Sequence, residues 1–340
     1  MIGDGWDDSP AVRPTSGGEG AETHGMRRRI CIVTGSRAEF GLLAPVMHAV
    51  HRHPALELAV IAAGSHLVLP AETFREVKAQ FNIADIVPMQ VAGRTGRDED
   101  VESVARGIGR FGRAFSKLRP DWVVVLGDRI EAFAAAAAAS IGGFALAHIH
   151  GGDRAEGVAD EAMRHAISKL AHAHFAATEQ SAERLRRMGE REANVLNVGS
   201  PAIDGLAAFE TLADAAYEDL GSPRVVFLMH PIGRSIEHEE ADAARILAAL
   251  GTEGVLALAP NHDPGRPGIL NAIREWGGRS IEHLPRSAFV GLLKRLVSAG
   301  GVLVGNSSAG LIEAAALGVP VVDIGRRQAG RQRPAAVAHT

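Results

Sequence analysis

Asp, His, Glu and Arg side chains stand directly after several short apolar runs of this sequence, at the point where each run ends. The residues concerned are, in chain order, Arg37, Glu39, Asp128, Arg129, His150 and Asp153. Ordinary loops favour Ser, Gly, Lys and Glu, so the repeated use of Asp, His and Arg indicates a shared functional site. Carboxylates and imidazoles can exchange protons with a substrate, and guanidinium groups can bind its phosphates.

A predicted helix over residues 159–173 carries a second pair of carboxylates. Its apolar residues recur at helical spacing and form a buried stripe, with Asp160 and Arg164 at the edge of that stripe. Glu161 points further outward. Asp160 is therefore the carboxylate better placed to face a cleft, with Arg164 as its partner. A purely structural ion pair at this spacing is the alternative interpretation.

Small polar residues open another predicted helix in the second half of the chain. The segment 305–310, GNSSAG, follows a buried strand. Free backbone N–H groups and the helix dipole favour an anion such as a diphosphate beside Ser307 and Ser308, although either serine would also serve as a plain helix cap. Glu313, in the next turn, could accept hydrogen bonds from ribose hydroxyls. His230 directly follows another strand of this half.

Strand-like and helical runs alternate along most of the chain and must position these side chains. Such alternation predicts right-handed βαβ units and parallel sheets, whose ligands bind beyond the carboxyl ends of the strands. The predicted strands are 30–34, 58–62, 121–126, 145–149, 174–177, 225–229, 255–259, 302–304 and 319–324. The predicted helices are 42–52, 130–140, 159–173, 239–250, 286–296 and 309–317.

The pattern is interrupted at Gly199-Ser200-Pro201 and then starts again. We therefore predict an α/β fold of two Rossmann-like, doubly wound parallel-sheet domains that face each other across a cleft, with limits of 26–200 and 201–340. Residues 1–25 are rich in Gly, Asp, Ser and Pro and show no apolar period. We expect them to be a disordered tail, or to precede a true start at Met26.

The composition of the 340 residues excludes several classes of protein. A formal net charge of −4 gives no reason to expect a nucleic-acid or anionic-membrane partner. Cys31 is the only cysteine and lies in an apolar run, so we expect a core residue in a reducing compartment. The apolar stretch 132–147 is too short to span a membrane. His148 and His150 alternate on a strand and point to opposite faces, so no metal site is predicted.

A series of motifs in order resembles the hydrolysing UDP-N-acetylglucosamine 2-epimerases, over about residues 28–333. The motifs are TGSRAEFGLL (34–43), GDR (127–129), HIHGGD (148–153), DEAMRHAISK (160–169), GSP (199–201), HP (230–231), GNSS (305–308) with Glu313, and RQAGR (327–331). The resemblance implies the fold called GT-B. It also implies a substrate of UDP-N-acetylglucosamine or a 4-acetamido relative, which is converted through a glycal into UDP and a free 2-epimerised sugar for sialic-type acids.

The resemblance also assigns roles to the candidate residues. It implies that Asp128 and Asp160 are the acid/base groups, with Asp153 or Glu161 as alternatives. The groups that would hold the UDP-sugar are Arg37, Glu39, His230, Ser307, Ser308 and Glu313, supported by Arg129, Arg164 and Arg327. No metal or other cofactor is implied, because positive side chains and backbone donors can take the leaving-group charge. We expect a cytoplasmic homodimer.

Three departures from the family pattern leave alternatives open. Many relatives have a carboxylate where His150 stands, and histidine could take that acid/base role because its ordinary pKa suits proton transfer. Leu42 replaces the lysine of the reversible branch, which favours hydrolysis. The second domain is expected to be truncated, because relatives continue beyond the position of Thr340 with helices that brace the first domain. A reversible epimerase, a glycosyltransferase and a UDP-sugar-binding protein without turnover are the competing hypotheses.

Overall fold

The alternating strands and helices of the first half form one sheet of seven parallel strands. The computed structural model of the chain describes residues 27–68, 73–94, 96–154, 160–261 and 263–340, without the side chains of Ala38 and Asp160. The predicted tail, 1–25, lies outside these ranges. The strands are β1 (Arg28–Thr34), β2 (Leu56–Ala63), β3 (Ile83–Val87), β4 (Trp122–Leu126), β5 (Ala145–Ile149), β6 (Ala173–Ala176) and β7 (Val195–Asn197), in the spatial order 3-2-1-4-5-6-7.

Helices cover both faces of this first sheet. They are α1 (Arg37–Arg52), α2 (Thr73–Gln80), α3 (Arg97–Leu118), α4 (Ile130–Ile141), α5 (Asp160–Leu170) and α6 (Glu179–Arg187). Side chains of β1 alternate between two cores, because successive strand residues point to opposite faces. Cys31 and Val33 join the core that contains α3 and α4, and Ile32 joins the core that contains α1 and α2. Burial raises the pKa of the Cys31 thiol to about 12, with a smaller contribution from Asp85, in agreement with a core residue.

The second half repeats the design with six strands. They are β8 (Val225–Leu228), β9 (Val255–Leu258), β10 (Arg279–Ile281), β11 (Val302–Gly305), β12 (Val321–Asp323) and β13 (Val337–His339), in the order 10-9-8-11-12-13. The helices are α7 (Asp214–Asp219), α8 (Ile236–Leu250), α9 (Arg266–Trp276) and α10 (Arg286–Ala299). We call residues 198–224, between β7 and β8, the connecting segment; the predicted domain limit at residue 200 lies within it.

Three predicted helices differ most from the structure. The predicted helix 42–52 begins earlier, at Arg37. The predicted helix 309–317 contains a π-helical turn, Gly310–Ala314, in place of a regular α-helix. The predicted helix 159–173 ends at Leu170, and β6 begins at Ala173. The predicted strand positions are otherwise reproduced to within a few residues. Within the described ranges no helix is long and apolar enough to cross a membrane.

Candidate active site

Asp128 and Asp153 are brought together by one buried guanidinium group. Asp128 follows β4, Asp153 follows β5, and Arg164 extends from α5 between them. Arg164 Nη2 donates to Asp128 Oδ2, and Arg164 Nη1 lies 3.6 Å from Asp153 Oδ2. Arg164 is only 2% exposed. The structure thus gives Arg164 two carboxylate partners that lie outside its own helix.

Asp153 is buried but surrounded by donors. Its Oδ1 accepts a hydrogen bond from Ser181 Oγ at 2.7 Å, and its Oδ2 lies 3.1 Å from His150 Nδ1. Burial alone would raise the pKa of Asp153. The hydrogen bond and charge of His150, the charge of Arg331 and the Ser181 hydroxyl outweigh burial and lower this pKa to about 2. Asp153 is therefore ionised at neutral pH.

His150 occupies a strained position in the loop after β5. Its φ of 63° lies in the left-handed region, which costs a non-glycine residue on the order of 1–3 kcal/mol. Its Nε2 lies 2.9 Å from Ser200 Oγ in the connecting segment. At Gly152 the φ is 76°, and a Cβ there would lie 2.3 Å from the Ser181 carbonyl oxygen. Glycine at position 152 lets the loop approach α6 closely and places Asp153 against Ser181.

The remaining carboxylates of α5 lie at its first turn. Asp160 begins the helix, but its side chain lies outside the described part of the chain, so its pairing with Arg164 stays a prediction. Glu161 Oε1 accepts a hydrogen bond from Arg154 Nε at 3.3 Å and lies 3.6 Å from His165 Nε2. Glu161 is therefore held by basic neighbours on the loop and on its own helix.

Arg37 and Glu39 lie in the first turn of α1, after Ser36 caps the helix. The Glu39 carboxyl group turns back and accepts a hydrogen bond from the Gly35 N–H at 2.6 Å. Burial, together with the nearby charge of Glu131, raises the pKa of Glu39 to about 8 although this hydrogen bond opposes the shift. Glu39 is thus largely protonated at neutral pH. Arg37 points to the other half of the chain and hydrogen-bonds His283.

His230 and Asn306 connect two strand ends of the second sheet. The His230 N–H donates to Asn306 Oδ1 at 2.7 Å, and Asn306 Nδ2 donates to the His230 carbonyl at 2.8 Å. The Asn261 N–H donates to His230 Nδ1, so in the neutral ring Nε2 carries the proton and faces Ser307 Oγ at 3.3 Å. Burial, followed by the charge of Arg327, lowers the pKa of His230 to about 3. His230 is therefore a neutral donor beside Ser307.

The turn after β11 depends on Gly305. Its φ is 147°, and a Cβ there would lie 2.0 Å from the Leu228 carbonyl oxygen. The close contact lets Ser307 and Ser308 start a helix directly at the strand end. The π-helical turn that follows carries Glu313, whose Oε1 accepts a hydrogen bond from Arg286 Nη1 at 3.1 Å. Burial raises the pKa of Glu313, and the neighbouring Arg286 opposes that shift.

The sites of the two halves face each other. Arg129 Nη1 donates to Asp263 Oδ1 at 3.0 Å across the cleft, and Arg331 Nε donates to the Arg154 carbonyl at 3.1 Å. Charges also act across the cleft: Arg129 and Arg37 lower the pKa of His230, and after burial Arg331 and Arg327 lower that of Arg164. The carboxylates of the first half and the helix start of the second half therefore share one electrostatic environment.

Several residues at this interface were not among the predicted site residues. They are Ser181, Ser200, Asp263, Arg286, Asn306 and Gln328. Ser200, Asn306 and Gln328 lie within the motifs, and Gln328 Nε2 donates to the Asn306 carbonyl at 2.9 Å. Asp263 follows β9, where the strand-end rule indicates a functional position. No local signal marks Ser181 or Arg286, because their partners are distant in the sequence.

Two cavities lie beside the elements of the first half. One, of about 470 Å³, lies beside β1 and β4–β6 and is lined mainly by apolar side chains. The other, of about 510 Å³, lies around α2 and β3. In the described ranges there is also no group of three or more His, Cys, Asp or Glu residues that could hold a metal ion. The polar cleft is the candidate active site because it combines carboxylates, cationic side chains and a helix start.

Comparison with known proteins places this fold and these motifs in one family. The family model described as UDP-N-acetylglucosamine 2-epimerase matches residues 48–340. A Legionella pneumophila protein named UDP-N,N'-diacetylbacillosamine 2-epimerase (hydrolyzing) is 37% identical over 325 residues, or 91% of this chain and 84% of the relative. A Neisseria meningitidis UDP-N-acetylglucosamine 2-epimerase is 33% identical over 93% of this chain and 84% of its own length.

A solved structure shows the same fold. Methanocaldococcus jannaschii UDP-GlcNAc 2-epimerase in complex with UDP-GlcNAc and UDP matches with a TM-score of 0.74 at 18% identity, over 92% of this chain and 88% of that one. The predicted fold of two parallel-sheet α/β units is thereby confirmed. Because the family model covers most of the sequence and both relatives exceed 30% identity, the chain belongs to the UDP-N-acetylglucosamine 2-epimerase family.

Proposed function

We propose that the protein is a hydrolysing 2-epimerase of UDP-linked 2-acetamido sugars, which it converts with water into UDP and the free 2-epimer. One observation carries the proposal. Two carboxylates held by Arg164 stand opposite a helix start that offers Ser307, Ser308 and neutral His230. The two carboxylates can exchange protons with the sugar, and the helix start with His230 can bind the diphosphate.

The reaction divides between these two groups. A carboxylate removes the proton from C2 of the sugar while the C1–O bond breaks and the electron pair leaves with UDP. A glycal with a C1–C2 double bond results. Water then adds its hydroxyl to C1, while an acid protonates C2 on the opposite face. We assign the acid/base roles to Asp128 and Asp160, with Asp153 or Glu161 as alternatives.

The second half would stabilise the charge that develops on the leaving diphosphate. Backbone N–H groups at Ser307 and Ser308, the Nε2 proton of His230 and the charges of Arg37 and Arg327 can serve this purpose without a metal. Glu313 would accept hydrogen bonds from the ribose hydroxyl groups. Arg129, whose partner Asp263 lies across the cleft, would help to keep the two halves closed.

The structure of His150 alters one expectation about acid/base chemistry. Both ring nitrogens are engaged by Asp153 and Ser200, and the ring is buried. We therefore place His150 behind Asp153 rather than against the substrate. We further propose a cytoplasmic homodimer that supplies a precursor of sialic-type acids; light scattering of the purified protein tests the dimer.

Incubation with UDP-N-acetylglucosamine and, separately, UDP-N,N'-diacetylbacillosamine in heavy water tests the function. We expect UDP and free sugar in equal amounts, with one deuterium at C2 of the epimerised product. The second substrate is included because one relative is named for it. Formation of an epimerised UDP-sugar without UDP would indicate a reversible epimerase. Unchanged substrate in both reactions would overturn the proposal.

A further inference from the structure

A chain of hydrogen bonds joins the connecting segment to Asp153. The Ala202 N–H donates to Ser200 Oγ at 3.2 Å, and this hydroxyl lies 2.9 Å from His150 Nε2. Beyond the imidazole, Nδ1 lies 3.1 Å from Asp153 Oδ2. An ionised carboxylate only accepts, so His150 donates from Nδ1 to Asp153; in the tautomer that carries its proton there, Nε2 accepts a hydrogen bond from the Ser200 hydroxyl. All three donors then point toward Asp153, an arrangement in which each bond polarises the next.

The backbone of His150 is strained, and the ring that it carries makes both of these contacts. A glycine would adopt the left-handed conformation at this position without strain, whereas histidine does not. The two following residues, Gly151 and Gly152, are glycines, yet position 150 carries an imidazole that is 5% exposed. The ring fills the space between Ser200 and Asp153 and leaves neither of its nitrogens without a partner.

The connecting segment is bonded to the second half at the same place. Arg286, at the start of α10, donates from Nη2 to the Ala202 carbonyl at 2.7 Å and from Nη1 to Glu313 at 3.1 Å. Ala202 thus uses its carbonyl toward the second sheet and its N–H toward the first. A shift of the connecting segment would therefore change the contact between Ser200 and His150.

Asp153 depends on these donors because burial disfavours its charged form. Its carboxylate in turn lies beside Arg164, which pairs with Asp128. The other charged, titratable or hydroxyl groups that act on Asp153 or His150 are Ser181, Arg184, Arg331, His148 and Glu313. Among all these groups, only His150 connects Asp153 to the connecting segment.

We propose that Ser200 and His150 are positioning residues, which link the connecting segment to Asp153 and hold that carboxylate beside Arg164. The proposal rests on the proposed function insofar as Asp153 and Asp128 belong to the active site. Ser200 and His150 do not touch the substrate; they act through Asp153.

We call the hydrogen-bond chain from Ser200 through His150 to Asp153 the relay. Three substitutions test its two ends separately. His150→Asn keeps an N–H donor near the Nδ1 position and tolerates the left-handed backbone. His150→Gln reaches toward Ser200 but loses the donor to Asp153, and Ser200→Ala removes the hydroxyl. Loss of a hydrogen bond to a charged group typically costs about 10- to 100-fold. We expect that loss in kcat for His150→Gln, a smaller loss for His150→Asn and Ser200→Ala, and KM within about threefold.

The pH profile distinguishes positioning from a structural role. Without the His150 donor the pKa of Asp153 rises, so we expect the acidic limb of kcat to move to higher pH in His150→Gln and by less in His150→Asn. Ser103→Ala, which removes a buried hydroxyl on α3, is the control and should leave the profile unchanged. An unmoved profile in His150→Gln would overturn the proposal, as would labelling of Ser200 by a fluorophosphonate, which would indicate a nucleophile.

A second measurement does not depend on turnover. Urea unfolding of His150→Gln, Asp153→Asn and the double variant gives the coupling free energy between the two residues. We expect a clearly favourable coupling free energy at pH 7, because only His150 gives Asp153 its Nδ1 donor. Additive effects of the two substitutions would overturn the relay. If the wild-type chain turns over neither UDP-sugar but shows this coupling, the proposed function fails while the relay stands.

Discussion

Arg164 donates to Asp128 from inside the protein, where only 3% of the arginine side chain is exposed. Asp153 lies 3.6 Å from the same guanidinium group, so one positive charge serves two carboxylates. The expected partner, Asp160, lies on the same helix as Arg164, whereas these two carboxylates come from the ends of β4 and β5. Arg164 thus links three separate elements of the first half.

Replacing Arg164 with methionine should destabilise the protein strongly. A buried ion pair that loses one member costs about 3–5 kcal/mol, because the remaining charge has no compensation. Urea unfolding at pH 7 measures this loss. Adding Asp153→Asn should restore part of the stability, and equal stability of Arg164→Met and wild type would contradict the ion-pair assignment.

Asp128→Asn should abolish most of the turnover and leave the fold intact. Amide substitution removes the proton-transfer group, which is worth about 10²- to 10⁴-fold in rate, but keeps the size and an acceptor for Arg164. UDP release and circular dichroism check the two parts of the prediction. Asp98→Asn, on the exposed first turn of α3, is the matched control. Near-normal turnover of Asp128→Asn would remove Asp128 from the acid/base assignment.

His66 should make the fold sensitive to acid. Its ring is buried between Thr34 Oγ1 at 3.0 Å and Thr73 Oγ1 at 2.8 Å. Burial, with a smaller effect from Arg129, lowers its pKa from 6.5 to about 4. The folded state therefore keeps His66 neutral while the unfolded state takes up a proton, so this contribution to stability is complete above pH 6.5 and is lost as the pH falls toward 4.

In His66→Gln the free energy of unfolding should accordingly depend less on pH. Between pH 7 and pH 5 the variant should lose about 2 kcal/mol less than the wild type, since each pH unit below 6.5 costs about 1.4 kcal/mol per such histidine. Urea unfolding across this range provides the measurement. His51→Gln, at an exposed position of α1, should keep the wild-type slope. Parallel slopes for His66→Gln and wild type would contradict the prediction.

Gly305→Ala should be far more harmful than Gly318→Ala. Both glycines have positive φ, but only at Gly305 does a Cβ collide with backbone, 2.0 Å from the Leu228 carbonyl oxygen. Strain and overpacking together predict a loss of about 2–6 kcal/mol at Gly305, against about 1–2 kcal/mol at Gly318. Thermal unfolding of both variants provides the comparison. Similar losses would mean that the β11 turn tolerates a side chain.

The strand ends were predictable because their signal is local. Apolar runs followed by Asp128, His150 and His230 can be read directly from the sequence, and the strand-end rule for parallel sheets then gives their common side. Helix α3 was not predicted, because its charged and glycine-containing sequence resembles a loop until its apolar face is packed against α4. Short strands such as β10 and β13 also carry too few residues to show a period.

The pairings were not predictable because they join distant parts of the chain. The i,i+4 spacing suggested Asp160 for Arg164, whereas the described partners, Asp128 and Asp153, depend on how α5 crosses the sheet. The contact of His150 with Ser200 spans 50 residues and depends on the course of the connecting segment. Tertiary placement, which no local pattern records, decides such contacts.

Ala202 bears on how chimeric enzymes should be built from this family. Its N–H donates to Ser200, and its carbonyl accepts a hydrogen bond from Arg286. A crossover near position 200 would therefore place hydrogen-bonding partners in different parents. A recombinant that joins this N-terminal half to the C-terminal half of a relative would need an arginine at the position of Arg286. Without it the graft would leave a carbonyl unpaired at the junction of the two parents.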